Sequence, residues 1–537
     1  MKPLFNRQVF CFTLLFLLYS SSLHAQRAKA GHTLTEDEAK MVKKDAGTMF
    51  AAGNYKGSLK AYLDLIKTDQ QNPEYNYRLG YCYLKSNSDK TEAVKYFLTA
   101  AEHKSVKRDV YLFLGVAYMN AGKWDEAERA FQDYVSQGGG KPVKDFPSVE
   151  RLIENCRNGK MLSVQPVNVE FINPGKSINS PDDEFNPYIS ADGNTLLFSA
   201  RRKGNAGGFI PELGIYTSDI FWSQWKDSIW SKSRSLGGLV NGIWDEEIVG
   251  ISTMADNAFI YFDNESYFAD LGYSVLKGKT WQKYVMLPEN VNSKQTESSA
   301  SISPDGKMLI VSSNRKDGNG GFDLYHYLKN DADQWEGPQN LGTTINTKLD
   351  EVAPFISADG RTLYFASQGH NSMGGYDIFR SKWNNQSKEW SVPENLGYPI
   401  NTADDESSFS ITGTGKTAYM SRYRNDGLGE RDIWQLKLKD SERFPEYILF
   451  TGNITSTSGL RVDIKSATLE QKESGEKWIF KPQSNLASVV FSVNAGNYRL
   501  IVEGNNFETL EKDLLFSEQE KGTEIIFNLT VNTARKN

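Results

Sequence analysis

At 537 residues, against roughly 100 to 200 per domain, the chain has room for about three or four domains and more than one independent core. Lys+Arg of 61 against Asp+Glu of 67 leaves a net charge of −6, so no basic surplus is present to neutralise a nucleic-acid backbone. A hydrophobic share of 39% with 24% charged residues argues against disorder, and 12% aromatics beside 44 Gly point to β-rich modules joined by tight turns instead of an all-helical protein.

Residues 1–25 read as a signal peptide. Lys2 and Arg7 precede an apolar run over residues 9–19, and small residues ending at Ala25 mark the expected cleavage site. The run is too short for a bilayer of about 30 Å, which needs roughly 20 residues, and no later window is long enough, so a soluble mature chain is expected. Cys11 lies within the run and not at the processing point, which disfavours a lipid anchor. Of the 3 Cys, Cys82 and Cys156 remain after cleavage and neither sits in a CxxC spacing. Cys82 reads as a buried thiol in an apolar helix.

Residues 34–160 carry a helical-hairpin repeat. Gly80 and Gly115 lie 35 apart, and Ser58, Ala93 and Ala127 lie 35 and 34 apart, a tetratricopeptide period. Small residues at these places let the two helices of a hairpin approach, while Tyr and Leu at helical spacing fill the groove beside them. Pro73 should open the second unit, and residues 146–156 read as a terminal helix. Such a solenoid presents a concave face suited to a peptide or partner segment.

Over residues 165–440 the pattern changes to short alternating strands. A block containing Ile-Ser-x-Asp-Gly or a close variant places its isoleucine at Ile189, Ile251, Ile302, Ile356 and Ile411, in steps of 62, 51, 54 and 55. Gly-Gly-x-Asp-Ile-Phe recurs as Gly320 to Tyr325 and Gly374 to Phe379, with a looser copy at Arg431-Asp432-Ile433-Trp434. A tryptophan then leads to Asn-Leu-Gly-x-x-Ile-Asn, ending at Ile345-Asn346 and Ile400-Asn401. About four strands per repeat imply an all-β propeller, five blades by the count of copies with six as the alternative. The fifth copy lacks the last segment, and Val169 to Asn179 has that segment's form, so an early strand should complete the last blade.

Chemistry is sparse. Asp192-Gly193, Asp305-Gly306 and Asp359-Gly360 read as hairpin turns, and Asp219, Asp323, Asp377 and Asp432 as acceptors for turn amides or for an arginine such as Arg315. The acidic pairs Asp183-Glu184, Asp245-Glu246, Asp350-Glu351 and Asp405-Glu406 recur at one blade position and are the candidate binding residues, as a ring of carboxylates at the channel mouth. Residues 314–321 have calcium-loop flavour without the terminal bidentate Glu and read as a loop. Gly413-Thr414-Gly415-Lys416-Thr417 fails as a phosphate loop because Ser410 stands where the first Gly is required. No Gly-x-Ser-x-Gly elbow is present, and the 5 His show no His-x-x-x-His spacing. No catalytic, cofactor or metal residue is assigned, and a non-enzymatic protein is expected.

Residues 446–537 hold strand-like runs at 448–454, 489–493, 498–502 and 525–529, which imply a small β-sandwich. The stretch Ala495 to Val502 followed by Asn506-Phe507-Glu508 resembles carboxypeptidase-regulatory-like sandwiches.

Leader, tetratricopeptide hairpins, TolB-like blades of WD-type propeller architecture and regulatory-like sandwich, in this order, resemble envelope proteins of bacteria that use type IX secretion and gliding. The resemblance implies a periplasmic scaffold or adaptor without cofactor, associated with the outer membrane through protein partners held by the helical groove and a propeller face. Relatives often continue into an outer-membrane-protein-A-like peptidoglycan-binding domain, absent from this sequence, so contact with cell-wall glycan would be indirect. The alternative expectation is a sensory propeller holding a glycan or peptide over its centre.

Overall fold

The computed structural model describes residues 34–103, 106–141, 143–263, 268–482 and 487–533. The expected leader, its cleavage site and Cys11 lie outside them. Among the described residues, no helix is long and apolar enough to cross a membrane.

Among the described residues seven α-helices come first: α1 (Glu36–Ala51), α2 (Tyr55–Leu65), α3 (Pro73–Lys85), α4 (Ala93–Ala101), α5 (Asp109–Asn120), α6 (Trp124–Ser136) and α7 (Val149–Leu162). They pack as three successive antiparallel pairs followed by α7. Close approach within the pairs depends on glycine: a Cβ at Gly80 would lie 2.7 Å from the Phe97 ring, and one at Gly115 would lie 2.3 Å from Phe131. Pro73 takes the first turn of α3, where its missing N–H costs nothing, and Asn72 caps that helix. The last helix starts later than the sequence pattern suggests and runs further. Pro147 stands just before the cap residue Ser148, whose hydroxyl accepts from Arg151 N–H. Cys82 and Cys156 are both buried and free, with burial pushing each thiol up to about 12.

Beside a two-stranded pair, Phe209–Ile210 with Ile215–Tyr216, the described residues of the central β region form five antiparallel sheets of four or five strands. Their first strands are Asp183–Ile189, Asp245–Ile251, Glu297–Ile302, Glu351–Ile356 and Phe409–Ile411. Each first strand contacts that of the next sheet, and the fifth returns to the first. The result is a propeller-like ring. The ring is joined by Val169–Ile172, which pairs antiparallel with Asp432–Leu438 of the fifth sheet. One asparagine per sheet holds the backbone of the third strand by accepting its N–H and donating to its carbonyl. These are Asn241 on Ile220, Asn292 on Leu271, Asn346 on Leu324 and Asn401 on Ile378. Asn179, from before the first sheet, does the same for Ile433 of the fifth.

Two more sheets follow. Ile448–Ser456 lies between Ser488–Val493 and Glu524–Val531, the latter parallel to it. The facing sheet runs Lys477–Phe480, Ile464–Gln471, Gly496–Gly504, Leu510–Phe516 in spatial order. Phe450, Phe491, Tyr498, Leu500 and Phe516 from both sheets share one core.

Candidate interaction surfaces

The recurrent glutamates are turned inward. Glu184, Glu246, Glu351 and Glu406 are buried, and each accepts the backbone N–H four residues earlier: Ser180 at 2.8 Å, Gly242 at 2.7 Å, Thr347 at 2.7 Å and Thr402 at 2.8 Å. Ser180, Thr347 and Thr402 add their hydroxyls. Each carboxyl therefore fastens the loop that enters its own sheet. Burial pushes Glu184, Glu246 and Glu351 up to about 7 and Glu406 up to about 8, against the smaller lowering effect of these hydrogen bonds. Glu297 plays the same part in the third sheet, on Ser293. The sequence pattern passed over it because Thr296 stands where the other sheets carry Asp.

The recurrent aspartates strap adjacent sheets. Asp245 accepts Ser218 N–H at 2.7 Å, Asp350 accepts Phe322 N–H at 2.9 Å, and Asp405 accepts Tyr376 N–H at 3.0 Å. Asp183 takes a bidentate pair from Arg431, at 2.8 and 2.7 Å. The eight carboxylates named from sequence thus do not converge on one point, and all have partners within the chain. Asp219, Asp323, Asp377 and Asp432 accept loop amides, as expected. Arg315 does not join Asp323; it donates to Val291 O and the Tyr327 hydroxyl and lies 3.5 Å from Glu297. Among the described residues no group of three or more His, Cys, Asp and Glu side chains is arranged to hold a metal ion. Nearer the middle of the ring, Tyr188 of the first sheet and Phe355 of the fourth approach with ring centroids 6.4 Å apart.

The helical region docks on the ring through polar contacts. The Arg151 guanidinium donates to three consecutive carbonyls of the fourth sheet, Gln368 at 2.6 Å, Gly369 at 2.9 Å and His370 at 3.2 Å. Asn155 and Asn158, further along α7, donate to Gly374 O at 2.7 Å and Ser372 O at 3.0 Å. The segment between α3 and α4 adds Lys90 on Asp404 and Asp89, which accepts from Asn425, and the first turn of α2 adds Lys56 on Glu430. Burial would raise the Asp404 carboxyl, but the Lys90 ammonium outweighs it and holds the group below the usual range.

The C-terminal sheets dock on the turns that join the first and second strands of the ring's sheets. Ala191, Met254 and Ala358, next to those turns, join the C-terminal core. Ser492 Oγ donates to Gly413 O at 2.6 Å, and Leu449 packs so tightly on Gly413 that a Cβ there would meet it at 2.4 Å. Beside this junction lies a cleft of about 830 Å³ between the third and fourth sheets and the C-terminal sheets, with Met308, His326, Trp383, Trp390 and Trp478 in its lining. Its walls are bridged by Arg361 to Glu476 at 2.7 Å and by Lys481 N–H to Pro304 O at 3.0 Å.

The tetratricopeptide repeat family matches residues 50–106 and 84–142. No curated protein matches the chain. Among solved structures, TolB from Acinetobacter baumannii aligns at 12% identity over 55% of this chain and 71% of its own, with a TM-score of 0.32. A glycosyl hydrolase from Bacteroides ovatus aligns at 11% identity over 53% and 96%, with a TM-score of 0.34. The MamA protein aligns at 19% identity over 23% and 82%, with a TM-score of 0.15. Likenesses this slight do not bear on chemistry.

Proposed function

We propose that this chain is a non-enzymatic scaffold of the bacterial envelope, dividing into a tetratricopeptide domain over 34–160, a five-bladed propeller over 165–440 and a β-sandwich over 446–537. The observation that carries this reading is the two-ended docking of the ring. Helical hairpins are held on the side of the loops that follow the second strands, through Gln368 to Gly374, and the C-terminal sheets on the opposite turns, through Gly413. Docking surfaces held in such a fixed relation raise the effective concentration of their ligands for one another, and this requires no chemistry of the scaffold itself. The buried carboxylates are committed to loop amides and neighbouring sheets, which supports a structural part for them and leaves the chain without an assigned reaction.

The leader pattern and the order of domains support export to the periplasm, with association to the outer membrane through partners, within a secretion or gliding assembly of the type IX kind. A glycan or peptide held over the centre of the ring has less support, because Tyr188 and Phe355 meet there. Crosslinking in intact cells with photoreactive side chains placed at Met41 on the helices and at Val392 on the ring, both exposed, tests the scaffold. Distinct envelope proteins recovered from both positions are expected; recovery from neither position overturns it.

A further inference from the structure

Among the described residues the strand Lys477–Phe480 is the outer strand of its sheet and pairs only with Ile464–Gln471. Its hydrogen-bonding directions follow from two backbone hydrogen bonds and the alternation of a strand. Gln471 N–H donates to Glu476 O, so Glu476 faces the inner neighbour. Lys481 N–H donates to Pro304 O across the cleft, so Lys481 faces the other way. Alternate residues between them turn their N–H and C=O to alternate edges. Trp478 and Phe480, opposite Leu469 and Ala467, therefore serve the ladder. Lys477 and Ile479 aim their backbone groups at the cleft.

We propose that the cleft binds an extended peptide segment of a partner protein, added as a strand to the edge at Lys477 and Ile479. Backbone polar groups facing a cleft demand partners, and a strand supplies both a donor and an acceptor at the required spacing. Lys481 to Pro304 already shows that this edge reaches across to the ring. Apolar side chains of the peptide have Trp383, Leu328 and Ile479 to pack on; the last two are 48% and 39% exposed. A glycan has no use for paired backbone groups at strand spacing, and the edge therefore favours a peptide. The ring opposite this edge, in contact at Pro304, stands in the way of the sheet-to-sheet association to which an open edge is prone.

The inference rests on the scaffold reading by naming one class of partner and its seat. A random peptide library displayed on phage, panned on the full chain, supplies the probe; selected peptides are measured by fluorescence anisotropy. Ile479→Pro removes the N–H that faces the cleft without removing a ladder bond, and Trp383→Ala removes a side-chain seat from the opposite wall. Each is expected to weaken the selected peptides by about tenfold or more, with amides 477 and 479 slowed in hydrogen exchange when wild-type chain is bound. Failure to select a peptide, or binding that Ile479→Pro leaves unchanged, overturns the inference. So does an oligosaccharide whose binding Trp383→Ala abolishes and Ile479→Pro leaves intact. Partners still crosslinked in cells while the cleft stays without peptide would leave the scaffold standing and remove only this seat.

Discussion

The two ends of the ring are closed by different physics. At the helical end most contacts are side-chain donors on backbone carbonyls and a few ion pairs, with Arg151, Asn155 and Asn158 of α7 on the fourth sheet's loop and one ring alanine, Ala403, packed on the helical core. At the other end the ring's own Ala191 is buried in the apolar core of the C-terminal sheets, and Met254 and Ala358 pack against that core. A polar interface exchanges its partners for water at little net cost, because each hydrogen bond contributes only about 0.5–1.5 kcal/mol. A shared apolar core has no such substitute. The ring and C-terminal sheets should therefore behave as one folding unit, to which the helices attach more loosely.

The largest effect should come from breaking the shared core. Leu449 is 1% exposed and packs on Gly413, so Leu449→Asp buries an unpaired charge at a cost of about 3–5 kcal/mol. Amides of both the ring turns near residues 191 and 413 and the C-terminal strands should lose protection together in hydrogen exchange. Protection retained by the turns would show that the two are independent units.

Arg151→Ala should have a smaller and more local effect. It removes three charge-assisted hydrogen bonds to Gln368, Gly369 and His370, and because the freed carbonyls take water the combined net loss is about 1–3 kcal/mol. Exchange should quicken at amides 368–374 and along α7, while strands of the ring keep their protection. Loss of protection throughout the ring would mean that the helices brace it, and the contrast between the two ends would fall.

Much of this contrast was hidden from sequence for a physical reason. Repeated residues were legible where they answer a geometric demand that recurs. Gly80 and Gly115 face Phe97 and Phe131, and the Gly193, Gly306 and Gly360 turns have φ of 71°, 68° and 69°. The asparagine at 179 copies the role of those at 346 and 401. The repeated acidic pairs were legible as a pattern but pointed the wrong way in space, because recurrence at one place in every sheet reflects what each sheet needs to fold. Donors on α7 left no pattern at all: Arg151 and Asn155 contact backbone carbonyls, which every residue has. The strands Ile464–Gln471, Lys477–Phe480 and Leu510–Phe516 also went unread. They carry charged residues on an exposed face and lack the apolar runs of their neighbours.

The two regions also differ in the sign of their response to pH. Glu406 has a folded-state value of about 8, against an ordinary 4.5, so between those values the folded chain keeps a proton that the unfolded chain has lost. Stability from this group is full below the ordinary value and is lost as pH rises towards 8. Asp404 runs the other way. Lys90 holds its carboxyl below the ordinary 3.8, so its contribution to the helical interface is present above that value and is lost as pH falls through the folded-state value. Glu406→Gln keeps one oxygen to accept the Thr402 N–H, its amide NH2 can donate to the Thr402 hydroxyl oxygen, and it does not titrate. Urea unfolding of the ring, followed by tryptophan fluorescence from pH 5 to 8, should fall less steeply in this variant than in the wild type, by up to about 1.4 kcal/mol per pH unit. Acidification below pH 4 should instead quicken exchange at the turn of residues 86–92 while ring strands stay protected. Equal slopes for wild type and Glu406→Gln would show that the buried carboxyl is ionised in the folded ring, and the opposed pH signs of ring and helical interface would be lost.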